Sequence, residues 1–344
     1  MAYAQIIVKL YQREQDRIYT YEIPEGMRLQ VGMMAQVPFG GGNRTLEGFV
    51  LEVSEDTSYP KEKIKKIIRV MGQEPVFGER ELSLARWMQK RYYASLSACL
   101  ALFVPRNPDR TRETVKRAEL LRPLTGEVGR MGENQRRFLE LLRDNPGWTL
   151  SQCMKEARLG SASLRSLQEK GWIRCREEPE GIPAASVIFQ KRSSPPLHPE
   201  QRQAAEEIGG AIHRGENKVF LLYGVTGSGK TEVYMSCIER ALERGQGAFL
   251  LVPEISLTPQ LLERLNHRFG DLVAVLHSRL NDTERSRQWQ RIKTGQARVV
   301  AGPRSALFAP LESPGLIVLD EEHETSYKSD MQPRFHAVEV AREM

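Results

Sequence analysis

Residues 224–231 contain the sequence feature that most restricts how this chain can fold. They read Gly-Val-Thr-Gly-Ser-Gly-Lys-Thr, which matches the pattern G-x-x-x-x-G-K-[ST] at every fixed position. The apolar run 219–223 precedes the motif and a helical pattern over 232–243 follows it, as a phosphate-binding P-loop requires. The sequence therefore predicts a bound nucleoside triphosphate in an α/β domain.

The residue types in this motif explain how it would hold phosphate. Glycines allow backbone N–H groups to fold around phosphate oxygens, and the N-terminus of the following helix adds positive potential. We expect the Lys230 ammonium to reach the β- and γ-phosphates and the Thr231 hydroxyl to bind Mg²⁺. The predicted nucleotide contacts are Gly224, Gly227, Ser228, Gly229, Lys230 and Thr231.

The residues around the motif predict a parallel sheet. Continuous apolar runs at 219–223, 247–252, 273–276, 298–301 and 316–319 alternate with helical patterns. Strands with this composition are buried on both faces, which is typical of parallel sheets covered by helices.

An acidic sequence, Asp320-Glu321-Glu322-His323, follows the last of these runs. A carboxylate at the end of a buried strand beside a P-loop is the Walker B arrangement. We expect Asp320 to hold Mg²⁺ directly or through water, and Glu321 to orient or activate the attacking water. The alternative is a strand that merely ends in solvated acids. Lys230, Asp320 and Glu321 are the predicted catalytic residues.

The net charge of +6 is unevenly distributed along the chain. Residues 1–196 carry 32 Lys/Arg against 24 Asp/Glu, whereas residues 197–344 carry 18 against 20. An excess of positive charge favours a polyanionic partner such as nucleic acid for the front half. An excess of this size is also common in proteins that need it only for solubility.

Cysteine spacing and hydropathy restrict the location of the chain. The four cysteines are scattered with no C-x-x-C pair, which argues against a zinc site in this chain and is typical of thiols in a reducing cytosol. No apolar run is long enough to span a membrane, and the first residues lack the pattern of a secretory signal. We therefore expect a cytoplasmic protein with no membrane partner.

The front half divides into two predicted modules. Residues 1–110 read as a small β-rich domain, with strands at 4–9, 18–23 and 48–53 and a helix at 79–93. Its predicted turns include Pro38-Phe39-Gly40. A charged linker is predicted to follow, up to about residue 124. Residues 125–180 contain three helical patterns, the second capped by Thr149, and then an extended segment, which is the order of a winged helix. A generic helical spacer is the alternative for 125–180. Residues 181–196 read as a second linker, and 197–344 as the P-loop domain.

Several motifs in the last domain resemble those of one helicase family. The sequence Asp-Glu-Glu-His at 320–323 is similar to motif II of the superfamily 2 helicases. Residues 197–201 resemble the Q-motif segment, whose glutamine contacts adenine, and Gln201 holds the matching position. The remaining resemblances are to motif Ia at 251–260, to later DNA-tracking motifs at 276–278, 284–285 and 302–308, and to an aromatic-rich loop at 326–336.

Together with the front half, these motifs resemble the PriA family of replication-restart helicases. Residues 24–26, 37–40, 74–77 and 92–93 are similar to the family's N-terminal 3′-DNA-binding domain. The resemblance implies a multidomain α/β protein with a β-rich 3′-DNA-binding domain, a winged helix and a RecA-like P-loop lobe.

The resemblance also implies an activity, its cofactors and its partners. We expect ATP and Mg²⁺ as cofactors for a 3′→5′ DNA helicase that binds forked and single-stranded DNA and loads the replicative helicase at stalled forks. Implied protein partners are a single-strand-binding protein and primosome or helicase-loader proteins, in the nucleoid region of the bacterial cytoplasm. His323 is the implied coupling residue, and the implied DNA contacts are Tyr19, Tyr21, Lys328, Arg334 and Phe335.

The sequence departs from the family pattern in three places. Thr20 stands where the family usually has an aspartate that helps to hold the terminal nucleotide, and Ala337-Val338-Glu339 stands where Ala-Arg-Asp is usual. The family's second motor lobe, its arginine finger and its zinc-binding cysteines lie beyond the position of Met344. The resemblance therefore implies the N-terminal half of such a helicase, with zinc expected only in the other half.

Two rival interpretations follow from the same residues. A DNA- and ATP-binding adaptor without helicase activity fits a chain that lacks the second lobe. A restriction or chromatin-type translocase fits the Asp-Glu-Glu-His sequence but leaves the front half unexplained.

Overall fold

The computed structural model describes residues 2–9, 16–42, 44–104, 114–121, 131–145, 148, 150–179, 196–225 and 227–344. The chain forms two compact units. One comprises Met1–Thr111 with Ser186–Met344, and the other comprises Arg112–Ala185.

The first unit begins with a six-stranded sheet. Its strands are β1 (Ala2–Val8), β2 (Ile18–Ile23), β3 (Met34–Phe39), β4 (Arg44–Ser54), β5 (Lys65–Lys66) and β6 (Arg69–Met71), in the order β5-β2-β1-β4-β3-β6. Neighbouring strands are antiparallel, except for β2 and β5, which are parallel. The predicted strands at 4–9, 18–23 and 48–53 are confirmed as β1, β2 and β4.

Pro38 and Phe39, predicted to lie in a turn, instead end strand β3. Strand β6 pairs with β3 only as far as Gln36, so Pro38 lies where one edge of the strand has no neighbour in the ladder. A proline is tolerated in such a position because its missing N–H removes no bond from the sheet.

Two helices, α1 (Glu79–Tyr92) and α2 (Leu96–Ala101), pack on this sheet. Helix α1 was predicted with nearly these bounds; it ends because Tyr93 adopts a left-handed conformation with φ of 48°. Its spacing places Leu84, Ala85 and Met88 on the buried face. Helix α2 was not predicted from the sequence.

In the residues that the structure describes, the second unit has three helices and a two-stranded sheet, with a core around Phe138, Leu139 and Leu167. Its elements are β7 (Thr114–Leu120), α3 (Glu133–Asp144), α4 (Leu150–Glu156), α5 (Ser161–Glu169) and β8 (Ile173–Pro179). The predicted linker up to 124 is therefore wrong in part, because β7 pairs with β8 along its whole length. The many charged residues of β7 and β8 led to the linker prediction. In the two-stranded sheet, charges of opposite sign can pair on the exposed surface, and Nη2 of Arg176 lies 3.1 Å from Oε2 of Glu119. The predicted cap Thr149 and the predicted linker residues 181–195 lie outside the described residues.

The P-loop domain of the first unit contains helices around a parallel sheet. The elements are α6 (Pro199–Arg214), α7 (Lys230–Glu243), β9 (Gly247–Leu251), α8 (Pro259–Phe269), β10 (Val273–Val275), α9 (Asp282–Lys293), β11 (Val299–Gly302), β12 (Pro314–Leu319) and α10 (Ala337–Glu343). The strands are parallel and lie in the order β10-β11-β9-β12. Every residue of β9 and β11 is buried, as the continuous apolar runs predict.

The predicted strand at 219–223 is wrong. This segment pairs with no strand among the described residues, and Val219, Leu221 and Tyr223 are 64%, 77% and 92% exposed. Exposed and partly buried side chains alternate along the segment, as they do in a strand. A strand also needs a neighbouring strand to bond with its N–H and C=O groups. In the described part of the chain the sheet ends at β12.

The β-rich domain and the P-loop domain share one continuous core within the first unit. Phe308 packs edge-to-face on Phe103 at 5.2 Å between ring centroids and on Phe335 at 4.9 Å. Aromatic rings in this geometry add to the stability gained from burial alone. Among the helices that the structure describes, none is long and apolar enough to cross a membrane.

Candidate nucleotide-binding site

The P-loop closes tightly against helix α6, and two of its glycines have backbone conformations that other residues rarely adopt. Gly227 and Gly229 have φ values of 81° and 82°, which glycine adopts without strain. A Cβ atom at Gly229 would lie 2.3 Å from Nε2 of Gln201, and one at Gly224 would lie 2.6 Å from Oγ of Ser228, so these side chains would have to move. These features fit the phosphate cradle predicted from the motif, which stays a prediction. Residue 226 of the motif lies outside the described part of the chain.

Lys230, the first residue of α7, directs its ammonium group into this loop. Its Nζ atom donates to the carbonyl oxygens of Gly224, at 2.6 Å, and Val225, at 3.3 Å. The cation therefore lies beside the N-terminus of α7, which is a favourable place for an anion. This arrangement fits a nucleotide phosphate.

Gln201 supports the loop from the first turn of α6. Its Oε1 atom accepts the backbone N–H of His198 at 2.9 Å, and its Nε2 atom donates to the carbonyl of Ser228 at 2.9 Å. Both polar groups of the side chain are therefore engaged with the backbone. The predicted contact with adenine stays a prediction.

Asp320 lies at the end of β12, where the sheet presents it to the P-loop helix. Its backbone N–H donates to the carbonyl of Leu251 at 2.9 Å. Its Oδ2 atom accepts the hydroxyl of Tyr234 at 3.2 Å, and its Oδ1 atom accepts the backbone N–H of Glu321 at 3.1 Å. The next residue, Glu321, is exposed and has φ of 49°. The carboxylate of Asp320 is therefore held, whereas that of Glu321 faces solvent.

A buried phenol accompanies the two predicted Mg²⁺ ligands. Tyr234 follows Thr231 by one turn of α7, and its hydroxyl donates to Asp320. Burial raises the pKa of Tyr234 above its ordinary value, and the nearby Asp320 charge adds to this shift. Hydroxyl and carboxylate oxygens are the ligand types that Mg²⁺ prefers, so these residues fit the ion.

A second buried tyrosine, Tyr327, joins the acidic sequence to the segment that follows it. Tyr327 is 1% exposed, and its hydroxyl lies 2.6 Å from the carbonyl oxygen of Asp320 and 2.9 Å from that of Leu251. It therefore fixes the backbone at the end of β12. Sequence reasoning missed both tyrosines, although Tyr234 follows Thr231 by three residues and so shares its helix face.

His323, the predicted coupling residue, lies at the surface. Its Nδ1 atom is 3.8 Å from Oε2 of Glu321, and both side chains are largely exposed. It lines an open pocket of about 790 Å³ together with Arg304, Lys328 and Glu339. Its coupling role stays a prediction.

The predicted DNA contacts of the aromatic-rich loop do not share one surface. Lys328 and Arg334 are exposed, and the Lys328 ammonium lies 5.4 Å from the ring centroid of Tyr92. Phe335 is only 3% exposed and packs on Phe308. The structure therefore contradicts the predicted DNA contact of Phe335, because a ring in the core is unavailable for stacking on a base.

The predicted contacts in the first domain also differ. Tyr21 is 4% exposed, its hydroxyl donates to the carbonyl of Pro38 at 3.3 Å, and burial raises its pKa to about 12. Tyr19 is half-buried and packs edge-to-face on Phe39 at 5.2 Å. The structure contradicts a direct contact between Tyr21 and DNA, whereas Tyr19 remains partly accessible.

Glu339, one of the departures from the family pattern, connects the two domains of the first unit. Its Oε1 atom lies 2.5 Å from Nη2 of Arg91, and its Oε2 atom accepts the hydroxyl of Tyr92 at 2.7 Å. The bond from Tyr92, together with Arg91, holds the pKa of Glu339 below its usual range. The C-terminal end of α1 is therefore attached to α10.

Comparisons with known proteins match most of the chain. A family model of the PriA 3′-DNA-binding domain (3′BD) matches residues 5–105, and a DEAD/DEAH box helicase model matches residues 198–341. The chain is 32% identical to the replication restart protein PriA of Bacillus subtilis, over 99% of this chain and 51% of that protein. The same protein of Haemophilus influenzae is 34% identical over 94% of this chain and 45% of its own length. The chain thus spans about half the length of the curated relatives it matches.

Proposed function

This chain belongs to the PriA family of replication restart proteins, and on that premise we propose that it binds ATP with Mg²⁺ and forked DNA as part of a 3′→5′ DNA helicase. The observation that carries the proposal is the P-loop, closed around the Lys230 ammonium and linked through Tyr234 to Asp320.

Each residue of the site has a role in this proposal. Lys230 neutralises the nucleotide phosphates, and Thr231 and Asp320 hold Mg²⁺, which neutralises charge on the transferred phosphate. Glu321 orients the attacking water from its exposed position beside Asp320. Gln201 supports the P-loop backbone and contacts adenine.

DNA binding is assigned to the front of the chain and to two exposed cations of the last domain, Lys328 and Arg334. The match of residues 5–105 to a 3′-DNA-binding domain supports this assignment, as does the positive charge of residues 1–196. The second unit, a three-helix fold with a two-stranded sheet, acts as a winged helix on duplex DNA. Tyr19, Lys328 and Arg334 are the proposed contacts with DNA strands.

The biological role is proposed from the matched relatives, which are replication restart proteins. The whole protein binds stalled forks in the bacterial cytoplasm, at the nucleoid, and reloads the replicative helicase. Its partners are a single-strand-binding protein and helicase-loader proteins.

A second candidate function is a DNA- and ATP-binding adaptor that does not unwind DNA. The observation that favours it is that the described residues of the P-loop domain form one parallel sheet, β10-β11-β9-β12. The resemblance to superfamily 2 helicases implies that unwinding uses two lobes that close around ATP. In phosphoryl-transfer enzymes an arginine finger contributes about 10³–10⁵ in rate.

Strand displacement on a forked duplex with Mg²⁺-ATP distinguishes the two candidates for the 344-residue chain. We expect the chain to bind both the fork and a fluorescent ATP analogue, to displace no strand and to hydrolyse ATP below about 1 s⁻¹, the low end of ordinary enzymes. ATP-dependent displacement by this chain would exclude the adaptor. Failure to bind the nucleotide analogue would exclude both candidates.

A further inference from the structure

The hydroxyl of Tyr234 contacts one of the two residues to which Mg²⁺ binding is assigned. It donates to Oδ2 of Asp320 at 3.2 Å. Tyr234 lies on α7, one helical turn after Thr231, the other assigned residue, and 86 positions before Asp320 in the sequence.

We propose that Tyr234 is a positioning residue that holds the Asp320 carboxylate in the orientation that receives Mg²⁺. The inference rests on the proposed function, since it concerns the same nucleotide site, and it adds a residue that touches neither the nucleotide nor the ion.

The direction of the hydrogen bonds at Asp320 supports this role. A carboxylate only accepts hydrogen bonds, so the proton of the Tyr234 hydroxyl is donated to Oδ2 of Asp320. The other oxygen, Oδ1, accepts the backbone N–H of Glu321 at 3.1 Å. Each carboxylate oxygen is therefore held by one donor and keeps a lone pair for a cation.

The surroundings of Tyr234 keep the hydroxyl in place. The side chain is 6% exposed and belongs to a core cluster that includes Ile238, Leu250 and Leu265. Partners of this kind, behind the direct ligands, typically change metal affinity about 10–100-fold when they are removed.

The change Tyr234→Phe removes the hydroxyl and keeps the ring in the core. The measurement is the affinity of the 344-residue chain for a fluorescent ATP analogue, with saturating Mg²⁺ and, separately, with EDTA. We expect the affinity with Mg²⁺ to fall about tenfold or more. The affinity with EDTA should stay within about twofold, because the P-loop contacts with phosphate are unchanged.

The matched control is Tyr3→Phe, which removes the hydroxyl of a tyrosine that is 3% exposed in strand β1. It should change neither affinity. A purely structural role for the Tyr234 hydroxyl would lower both affinities together, and this result would overturn the inference, as would an unchanged affinity with Mg²⁺. If the unaltered chain bound the analogue without any response to Mg²⁺, the assigned Mg²⁺ site of the proposed function would be wrong as well.

Discussion

At the scale of single residues, the nucleotide site depends on backbone conformation as much as on side chains. Gly227 and Gly229 have positive φ values, which residues with a Cβ atom rarely adopt. The Lys230 ammonium occupies the resulting loop and bonds to two backbone carbonyls. Phosphate oxygens would replace these carbonyls as its partners, because a charged acceptor forms the stronger bond.

Replacement of Lys230 by alanine tests this description. We expect Lys230→Ala to weaken binding of a fluorescent ATP analogue by about 10–100-fold, since hydrogen bonds to charged groups contribute about 1.5–3 kcal/mol. Lys218→Ala is the matched control, because Lys218 is an exposed lysine on the segment before the P-loop, where it packs on the ring of Phe220. Equal affinity of the Lys230→Ala and unaltered chains would show that the P-loop assignment is wrong.

At the scale of secondary-structure elements, a buried ion cluster attaches α8 to the P-loop helix. Nε of Arg268 lies 2.6 Å from Oε1 of Glu239, and its Nη1 lies 2.8 Å from Oε2 of Glu232. The Arg268 and Glu239 side chains are 7% and 2% exposed. Glu232 is in the first turn of α7, so the cluster positions the end of the helix that carries Lys230 and Thr231.

Loss of the guanidinium from this cluster should destabilise the chain. We expect Arg268→Met to lower the free energy of unfolding of the first unit by about 3–5 kcal/mol, because it leaves a buried carboxylate without its cationic partner. The measurement is urea unfolding, and the double variant Arg268→Met with Glu239→Gln should recover part of the loss. Arg264→Met, at an exposed position of the same helix, is the control and should change the stability little. A loss no larger than that of Arg264→Met would argue against the cluster.

At the scale of the whole molecule, the first unit cannot be divided at residue 196 without exposing its core. Rings from the β-rich domain and the P-loop domain pack together, as Phe103 and Phe308 do. Glu339 also connects α10 to Arg91 and Tyr92 of α1. DNA binding by the front half is therefore better tested with surface variants of the intact chain than with a fragment.

Salt dependence measures the proposed contribution of the front half to DNA binding. Lys61 and Lys63 are exposed cations of the domain that matches a 3′-DNA-binding domain. We expect the double variant Lys61→Gln with Lys63→Gln to weaken fork binding and to reduce the slope of log affinity against log salt by about 1 for each lost phosphate contact. The control, Arg244→Gln with Arg264→Gln, removes the same charge from exposed positions of the last domain. An equal effect of both pairs would mean that net charge, and not a front-half surface, determines the affinity.

Sequence patterns predicted the elements whose signals are local. The P-loop, the helices α1, α3 and α7, and the buried strands β9 and β11 all follow from spacing or composition within about fifteen consecutive residues. The pattern for 219–223 was equally clear but did not produce a strand, because pairing depends on a neighbour elsewhere in the chain. Strand β7 is the reverse case, because its charged sequence has no clear strand pattern. It forms a strand through pairing with β8, which lies more than fifty positions away.

By itself, the sequence determined that this chain has a P-loop and a following acidic sequence, because each motif is continuous and its chemistry belongs to its residue types. Only the tertiary structure decided which side chains serve them. Tyr234 bonds to Asp320 across 86 positions, and Tyr327 reaches the Leu251 carbonyl across 76. Phe335 and Tyr21 have the residue types of DNA contacts but lie in cores. Residue type specifies what a side chain can bind, whereas burial is set by the packing of elements that are distant in sequence.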